Sequence, residues 1–165
     1  KFPGTNKDLL LLYIPLIVTI SKRGEGMFGK DDYKKIEKNR KHFLIFNLIT
    51  ILFFTGISFT MVIPNLKGFD LVSTLIVFLI YIVVANVFVG IFVRKTEMVF
   101  FISLLFSALG MGWRLWLEWG DFSLVEHKNI VVMIGYPSIT ALIITLIYAV
   151  SEKFKTKKIV IMDRE

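Results

Sequence analysis

Four long apolar segments dominate the pattern of hydrophobic and polar positions along this chain. They run from Phe43 to Pro64, from Leu71 to Val93, from Met98 to Trp116 and from Ile130 to Val150. Each segment is close to the roughly 20 mainly apolar residues that a helix needs to cross the hydrocarbon core of a bilayer. The pattern therefore predicts an all-α, polytopic integral membrane protein, folded as a bundle of transmembrane helices.

A fifth apolar run, from Leu9 to Ile20, is shorter than a full span and contains Pro15, a residue that disrupts helices. It crosses the membrane if the residues before it contribute; otherwise it lies at the interface or forms half of a broken span. We count it as a short first span, which gives five transmembrane helices. Residues 1–150 then form one bundle with a basic loop at residues 21–42, and residues 151–165 form a basic tail.

Short connections join the four longer segments, so consecutive helices are predicted to be antiparallel neighbours, as in an up-and-down bundle. Pro137 predicts a kink in the last helix, because proline removes a backbone hydrogen bond. The tail closes with the apolar run from Ile159 to Met162. That run is consistent with a strand, with a segment that folds back, or with an unstructured end.

Basic residues are distributed unevenly between the two sides of the predicted bundle, and this asymmetry predicts its orientation. The side with more of the 20 basic residues carries Lys22, Arg23, Lys30, Lys34, Lys35, Lys38, Arg40, Lys41, Arg94, Lys95, Lys153, Lys155, Lys157, Lys158 and Arg164. The other side carries only Lys1, Lys7, Lys67, Arg114 and Lys128. Because loops rich in Lys and Arg stay in the cytoplasm, residues 21–42 and the C-terminus are predicted to be cytoplasmic, in the cell (plasma) membrane.

A basic segment beside a bilayer attracts anionic lipid headgroups, by about 1 kcal/mol for each Lys or Arg near the surface. The lipid bilayer and its anionic headgroups are therefore the first predicted partners of residues 21–42. An acidic protein partner is the alternative. Nucleic acid is not predicted, because the run from Asp31 to Lys41 alternates acids with bases and has only Tyr33 as an aromatic residue.

The segment from Met98 to Trp116 and the residues after it carry the most informative polar pattern. Trp113, Trp116 and Trp119 recur at every third position near the end of this segment. Indole rings favour the headgroup region, so these residues are predicted to anchor the helix at the outer membrane interface.

A polar stripe follows the same segment. Ser103, Ser107, Gly110, Arg114 and Glu118 recur at steps of three and four, so they share one helical face, and Arg114 can pair with Glu118. One interpretation is a helix-packing seam that ends in an interfacial ion pair. The other is a cavity in which the two charges act as a gate, an ion ligand or a substrate anchor.

Two other segments offer polar groups that could meet this stripe. Asn47, Thr50 and Ser58 fall near one face of the segment from Phe43 to Pro64, and Asn86 lies deep in an apolar run. Amides inside a bilayer need hydrogen-bond partners, so we expect Asn47 and Asn86 to join neighbouring helices.

The sequence predicts no catalytic residue, no cofactor and no metal site. His127 lies near Glu118, Asp121 and Glu126, but their spacing matches no metal-binding motif, so a solvated loop is the preferred interpretation. The chain has no cysteine, which excludes disulfides, thiolate metal sites and cysteine nucleophiles. The leading hypothesis is a non-catalytic accessory or interacting subunit of a membrane complex, with a protein partner or a second copy. The alternatives are a small oligomeric transporter or channel that uses the polar stripe, and a membrane-embedded lipid-modifying enzyme.

Overall fold

The computed structural model describes residues 28–62, 71–120 and 130–162. These residues form five helices and no strand, which agrees with the predicted all-α class. The helices are α1 (Lys30–Lys38), α2 (Arg40–Val62), α3 (Leu71–Ile91), α4 (Thr96–Leu117) and α5 (Ile130–Met162). Of these, α2, α3, α4 and α5 are long and apolar enough to cross a membrane. The predicted short span from Leu9 to Ile20 lies outside the described residues.

Two segments that the hydrophobic pattern left without a defined structure are helical. The loop at residues 21–42 contains α1, whose first turn is closed where the Asp32 carboxylate accepts a hydrogen bond from the Gly29 N–H at 3.0 Å. Asn39 separates α1 from α2. At the other end of the chain, α5 continues as far as Met162. The prediction of a strand or an unstructured end for Ile159 to Met162 is therefore wrong.

The four long helices form a ring in the order α2, α3, α5, α4. Helix α2 packs against α3 and α4, and α5 packs against the same two helices from the opposite side. Helices α3 and α4 are consecutive in the chain but lie diagonally across the ring, so the prediction that they are direct neighbours is wrong. The four residues between them reach about 13 Å when extended, which is enough to cross the diagonal of helices that pack 8–10 Å apart.

Much of the inner surface of the ring is apolar. Ile51, Val84, Phe88 and Ile144 belong to this apolar core and are buried. The outward surfaces are apolar too, and large side chains such as Phe101 and Ile134 are exposed there. Apolar residues therefore cover the outside of the bundle as well as much of its inside.

Helices α2 and α4 approach each other most closely at two glycines. A Cβ atom placed on Gly110 would lie 2.2 Å from the backbone oxygen of Leu52, and one on Gly56 would lie 2.9 Å from the backbone oxygen of Gly110. Only glycine fits at such distances, because any side chain would meet backbone atoms. This contact sets the position of α2 along α4, and with it the positions at which polar residues such as Thr55 and Ser107 face each other.

Candidate functional site

A group of hydroxyl side chains lies at the centre of the bundle and joins all four long helices. We call it the hydroxyl cluster. Its members are Thr55 and Ser58 of α2, Tyr81 of α3, Ser107 of α4 and Tyr136 of α5. The two tyrosines bring long side chains from α3 and α5, which are neighbours in the ring, towards the smaller residues of α2 and α4.

Hydrogen bonds run through the hydroxyl cluster without a break. The Ser58 hydroxyl lies 2.5 Å from the Tyr136 hydroxyl and 3.3 Å from that of Tyr81, which also lies 3.3 Å from the Thr55 hydroxyl. Thr55 in turn donates to Ser107 at 3.4 Å. Backbone oxygens complete the network, because Ser58 donates to the oxygen of Phe54 at 2.6 Å. In an apolar medium such bonds hold the helices in one register.

The chemistry available to the hydroxyl cluster is limited by its neighbours. The buried polar residues in the described part of the chain are Asn47, Thr55, Ser58, Asn86, Ser103, Ser107 and Thr140, all of them uncharged. In the described part of the chain, the hydroxyls of the cluster bond to one another and to backbone oxygens of α2.

The predicted polar residues fall into three environments. Ser107 belongs to the hydroxyl cluster, and Asn47 joins two helices by donating from Nδ2 to the backbone oxygen of Val84 at 3.0 Å. Asn86 instead bonds within its own helix, to Ile82 at 2.8 Å, although its side chain is buried. The Ser103 hydroxyl and Asn47 Oδ1 are buried and have no hydrogen-bond partner among the described residues. Among the described residues, Asn86 thus does not form the interhelical bond that the sequence predicts for it.

Arg114 and Glu118 form an ion pair at the end of α4. The Arg114 Nη2 donates to Glu118 Oε1, and the two side chains are 27% and 22% exposed. The Arg114 Nε is buried and has no partner among the described residues. Seven residues separate Arg114 from Ser107, a rise of about 10 Å along the helix. The stripe is therefore continuous in sequence but divided into a buried part and an interfacial part.

The three tryptophans surround this end of α4 in different ways. Trp116 and Trp119 are 71% and 72% exposed, whereas Trp113 is partly buried against α2. The Trp113 ring meets the Phe53 ring edge to face, with 5.2 Å between centroids. Trp116 and Trp119 thus expose most of their surface to the surroundings of the bundle.

At the opposite end, α1 packs against the last turn of α3. Ile36 is almost fully buried there, and a Cβ atom placed on Gly90 would lie 2.8 Å from its Cγ2. Tyr33 packs beside it, with the Lys155 ammonium 4.3 Å from its ring centroid. Burial raises the pKa of the Tyr33 hydroxyl above its usual value of 10.0. Helix α1 is therefore attached to α3 by apolar packing and to α5 by a cation–π contact.

The loop between α3 and α4 is held by α5 at the same end. The Tyr148 hydroxyl donates to the backbone oxygen of Phe92 at 2.5 Å, and the Arg94 N–H donates to a Glu152 carboxylate oxygen. Arg94 has a φ of 55°, in the left-handed region that most residues avoid. These two bonds stabilise the loop in the conformation that carries the chain across the ring.

Sequence reasoning missed Thr55, Tyr81 and Tyr136 as members of the central network. Each tyrosine lies within an apolar run, where its large ring makes it resemble an apolar residue. The signal that could have identified it is its hydroxyl, because a tyrosine deep in a spanning segment needs a hydrogen-bond partner from another helix. Thr50, by contrast, donates to the backbone oxygen of Phe46 in its own helix.

The described residues contain no group of three acidic, histidine or cysteine side chains that could hold a metal ion. Asp121, Glu126 and His127 lie outside the described residues. In comparisons with known proteins, no protein-family model, no curated protein and no solved structure matches this chain.

Proposed function

We propose that this chain is an integral membrane protein that acts as a non-catalytic accessory or interacting subunit of a membrane complex. The observation that carries the proposal is the hydroxyl cluster, which joins four helices through side chains that satisfy one another. A bundle whose centre is filled and hydrogen-bonded in this way acts through its surfaces.

The apolar outer surface supports insertion into a bilayer. Exposed side chains along the helices, such as Phe101, Leu105 and Ile134, are those that lipid solvates well. Exposed charges lie instead at the ends, with Arg94, Lys95 and the basic residues of α1 together at one of them. The positive-inside rule assigns this end to the cytoplasm and the end with Trp116 to the outer interface.

The surface that carries α1, at the proposed cytoplasmic end, is the part of the subunit best suited to bind another molecule. Helix α1 is short, yet Ile36 and Tyr33 hold it in a fixed position on the bundle. Its remaining described side chains, among them Lys35 and Lys38, are exposed. A rigidly mounted, charged helix suits recognition by another molecule better than a free tail would, because less conformational entropy is lost on binding.

A transporter or channel is the second candidate, and one observation favours it. Asn47 Oδ1 and the Ser103 hydroxyl are buried and have no hydrogen-bond partner within the described part of the chain, and they lie on two helices that pack against each other. Buried polar atoms without partners are uncommon, and in transport proteins they mark positions that water or a substrate occupies in another state.

Purification of the full chain from its native membrane in a mild detergent tests the two candidates together. An accessory subunit is expected to elute in a complex of defined stoichiometry, measured by size-exclusion chromatography with light scattering, and to give vesicles no solute flux. Flux that disappears in Asn47→Leu and Ser103→Ala variants, from a chain that elutes without a partner, would replace the subunit proposal by the transporter.

A further inference from the structure

The exposed face of α1 continues into the start of α2 as a row of lysines. We call Lys34, Lys35, Lys38 and Lys41 the basic ridge, and all four are exposed. On α1, Lys34 and Lys38 lie on the side opposite Ile36, the residue that faces the bundle, and Lys35 lies on its flank. Docking of α1 therefore turns the ridge away from the protein.

Most of the positive charge on the ridge is not neutralised by the acids beside it. Asp31 pairs with Lys34 at 3.8 Å, Glu37 pairs with Arg40 at 2.9 Å, and Asp32 is used by the Gly29 N–H. Lys35, Lys38 and Lys41 have no carboxylate partner in the described part of the chain. The ridge thus presents three uncompensated ammonium groups in a row.

An apolar stripe follows the ridge directly. Lys41 is followed at four-residue steps by Ile45, Ile49 and Phe53, which form a row that turns gradually around α2 from the position of the lysine. These three side chains are 56%, 51% and 47% exposed. One surface of the protein therefore changes from basic to apolar along its length, which is the order of a phosphate headgroup followed by acyl chains.

The contact between Ile36 and Gly90 fixes the depth of the ridge. Gly90 is next to Ile91, where the apolar span of α3 ends. Ridge lysines at that level lie at the boundary between hydrocarbon and water, where long basic side chains reach the headgroups.

We propose that the basic ridge binds the phosphate groups of anionic phospholipids, with the acyl chains lying along Ile45, Ile49 and Phe53. The inference rests on the membrane insertion proposed above, and it identifies a lipid as the ligand of the exposed surface of α1. The apolar stripe favours a phospholipid over a soluble phosphate compound, because a soluble anion would leave the adjoining side chains without a ligand. Lipid bound here would hold α1 at the membrane surface while Ile36 holds it to the bundle.

Native mass spectrometry of the full chain in detergent tests this proposal. The protein is titrated with phosphatidylglycerol, with phosphatidylcholine and with inorganic phosphate. We compare the natural chain with a variant in which the four ridge lysines are glutamine, and with a matched variant in which they are arginine. Exposed charges near a membrane surface each contribute modestly, so the glutamine variant is expected to bind phosphatidylglycerol at least about tenfold more weakly. The arginine variant should keep its affinity, and added salt should weaken binding to the natural chain.

Three outcomes would overturn the proposal. They are equal binding of phosphatidylcholine and phosphatidylglycerol, undiminished phosphatidylglycerol binding by the glutamine variant, and inorganic phosphate binding as tight as that of the lipid. Circular dichroism melting checks that the glutamine variant is folded, and the single variant Lys38→Gln supplies a smaller change in the same direction. Extraction of the natural chain from membranes by alkaline carbonate would instead contradict the insertion itself, which separates failure of the proposed function from failure of the lipid site.

Discussion

Gly110 lies against the backbone of Leu52 so closely that a single added carbon atom would come within 2.2 Å of the Leu52 oxygen. The obstacle is backbone, which cannot rotate away as a side chain can. Helices α2 and α4 therefore approach closely only while residue 110 is glycine, and the same approach brings Thr55 within reach of Ser107. The central hydrogen bonds thus depend on a glycine that takes no part in them.

Replacement of Gly110 by alanine is expected to separate α2 from α4. The cost should be about 1–3 kcal/mol in the free energy of unfolding, the range for overfilled packing. Gly112 is the matched control, because a Cβ atom there meets nothing within 4 Å. Gly112→Ala should be neutral or slightly stabilising, since alanine favours the helix. Unfolding in detergent, followed by circular dichroism, measures both; equal stability of the two variants would contradict the close crossing.

Removal of the Tyr136 hydroxyl should weaken the bundle without changing its shape. Tyr136→Phe deletes the contact with Ser58 at 2.5 Å and keeps the ring against Phe59. Hydrogen bonds between membrane helices contribute about 0.6 kcal/mol on average and up to about 1.7, so a loss in that range is expected. Thr50→Val, which removes a bond within one helix, should cost less. A Tyr136→Phe variant as stable as the natural chain would show that the cluster does not hold the helices.

Gly90 controls whether α1 stays attached to the bundle. In Gly90→Ala the new carbon would lie 2.8 Å from Ile36 Cγ2, and a β-branched side chain has little freedom to move away. We expect faster amide hydrogen exchange in residues 30–38, with little change in the buried parts of α2 and α5. Gly135→Ala is the control, because it adds the same carbon in open space. Unchanged exchange in α1 would mean that Ile36 does not anchor it.

Charge reversal tests whether Arg114 and Glu118 act only as a pair. The singly changed variants Arg114→Glu and Glu118→Arg should each lower the unfolding midpoint, because each leaves two like charges four residues apart. The doubly changed chain should recover the loss, because it restores a pair of opposite charges with the acidic residue N-terminal to the basic one, which is the better order at this spacing. Failure to recover would mean that Arg114 has a specific partner, for which its buried Nε is the available donor.

Length and hydropathy were sufficient to predict the four long helices. The predicted segment from Leu71 to Val93 corresponds to α3 at Leu71–Ile91, and Met98 to Trp116 corresponds to α4 at Thr96–Leu117. Helix formation is dictated locally, because backbone groups in an apolar medium must be bonded within their own segment. A hydrophobicity pattern records that requirement directly.

Helix contacts could not be predicted in the same way. The connection between α3 and α4 is compatible with two arrangements, because its length allows the helices to be direct neighbours or to lie diagonally across the ring. Tyr148 and Glu152, which are far away in the sequence, hold the connection in the diagonal arrangement. Tyr81 and Tyr136 meet only after four helices have assembled. Helix α1 was also missed, because the packing of Ile36 against Gly90 joins residues far apart in the chain.

Cysteine accessibility tests the oriented bundle most directly, because the natural chain contains no cysteine. Single variants Lys35→Cys, Lys153→Cys and Trp119→Cys place a thiol at exposed positions on α1, on α5 and beyond the end of α4. A membrane-impermeant maleimide is added to intact cells and then to permeabilised cells. In the oriented bundle, Trp119→Cys reacts in intact cells, and Lys35→Cys and Lys153→Cys react only after permeabilisation. Reaction of Lys35→Cys and Trp119→Cys from the same side of the membrane would contradict it.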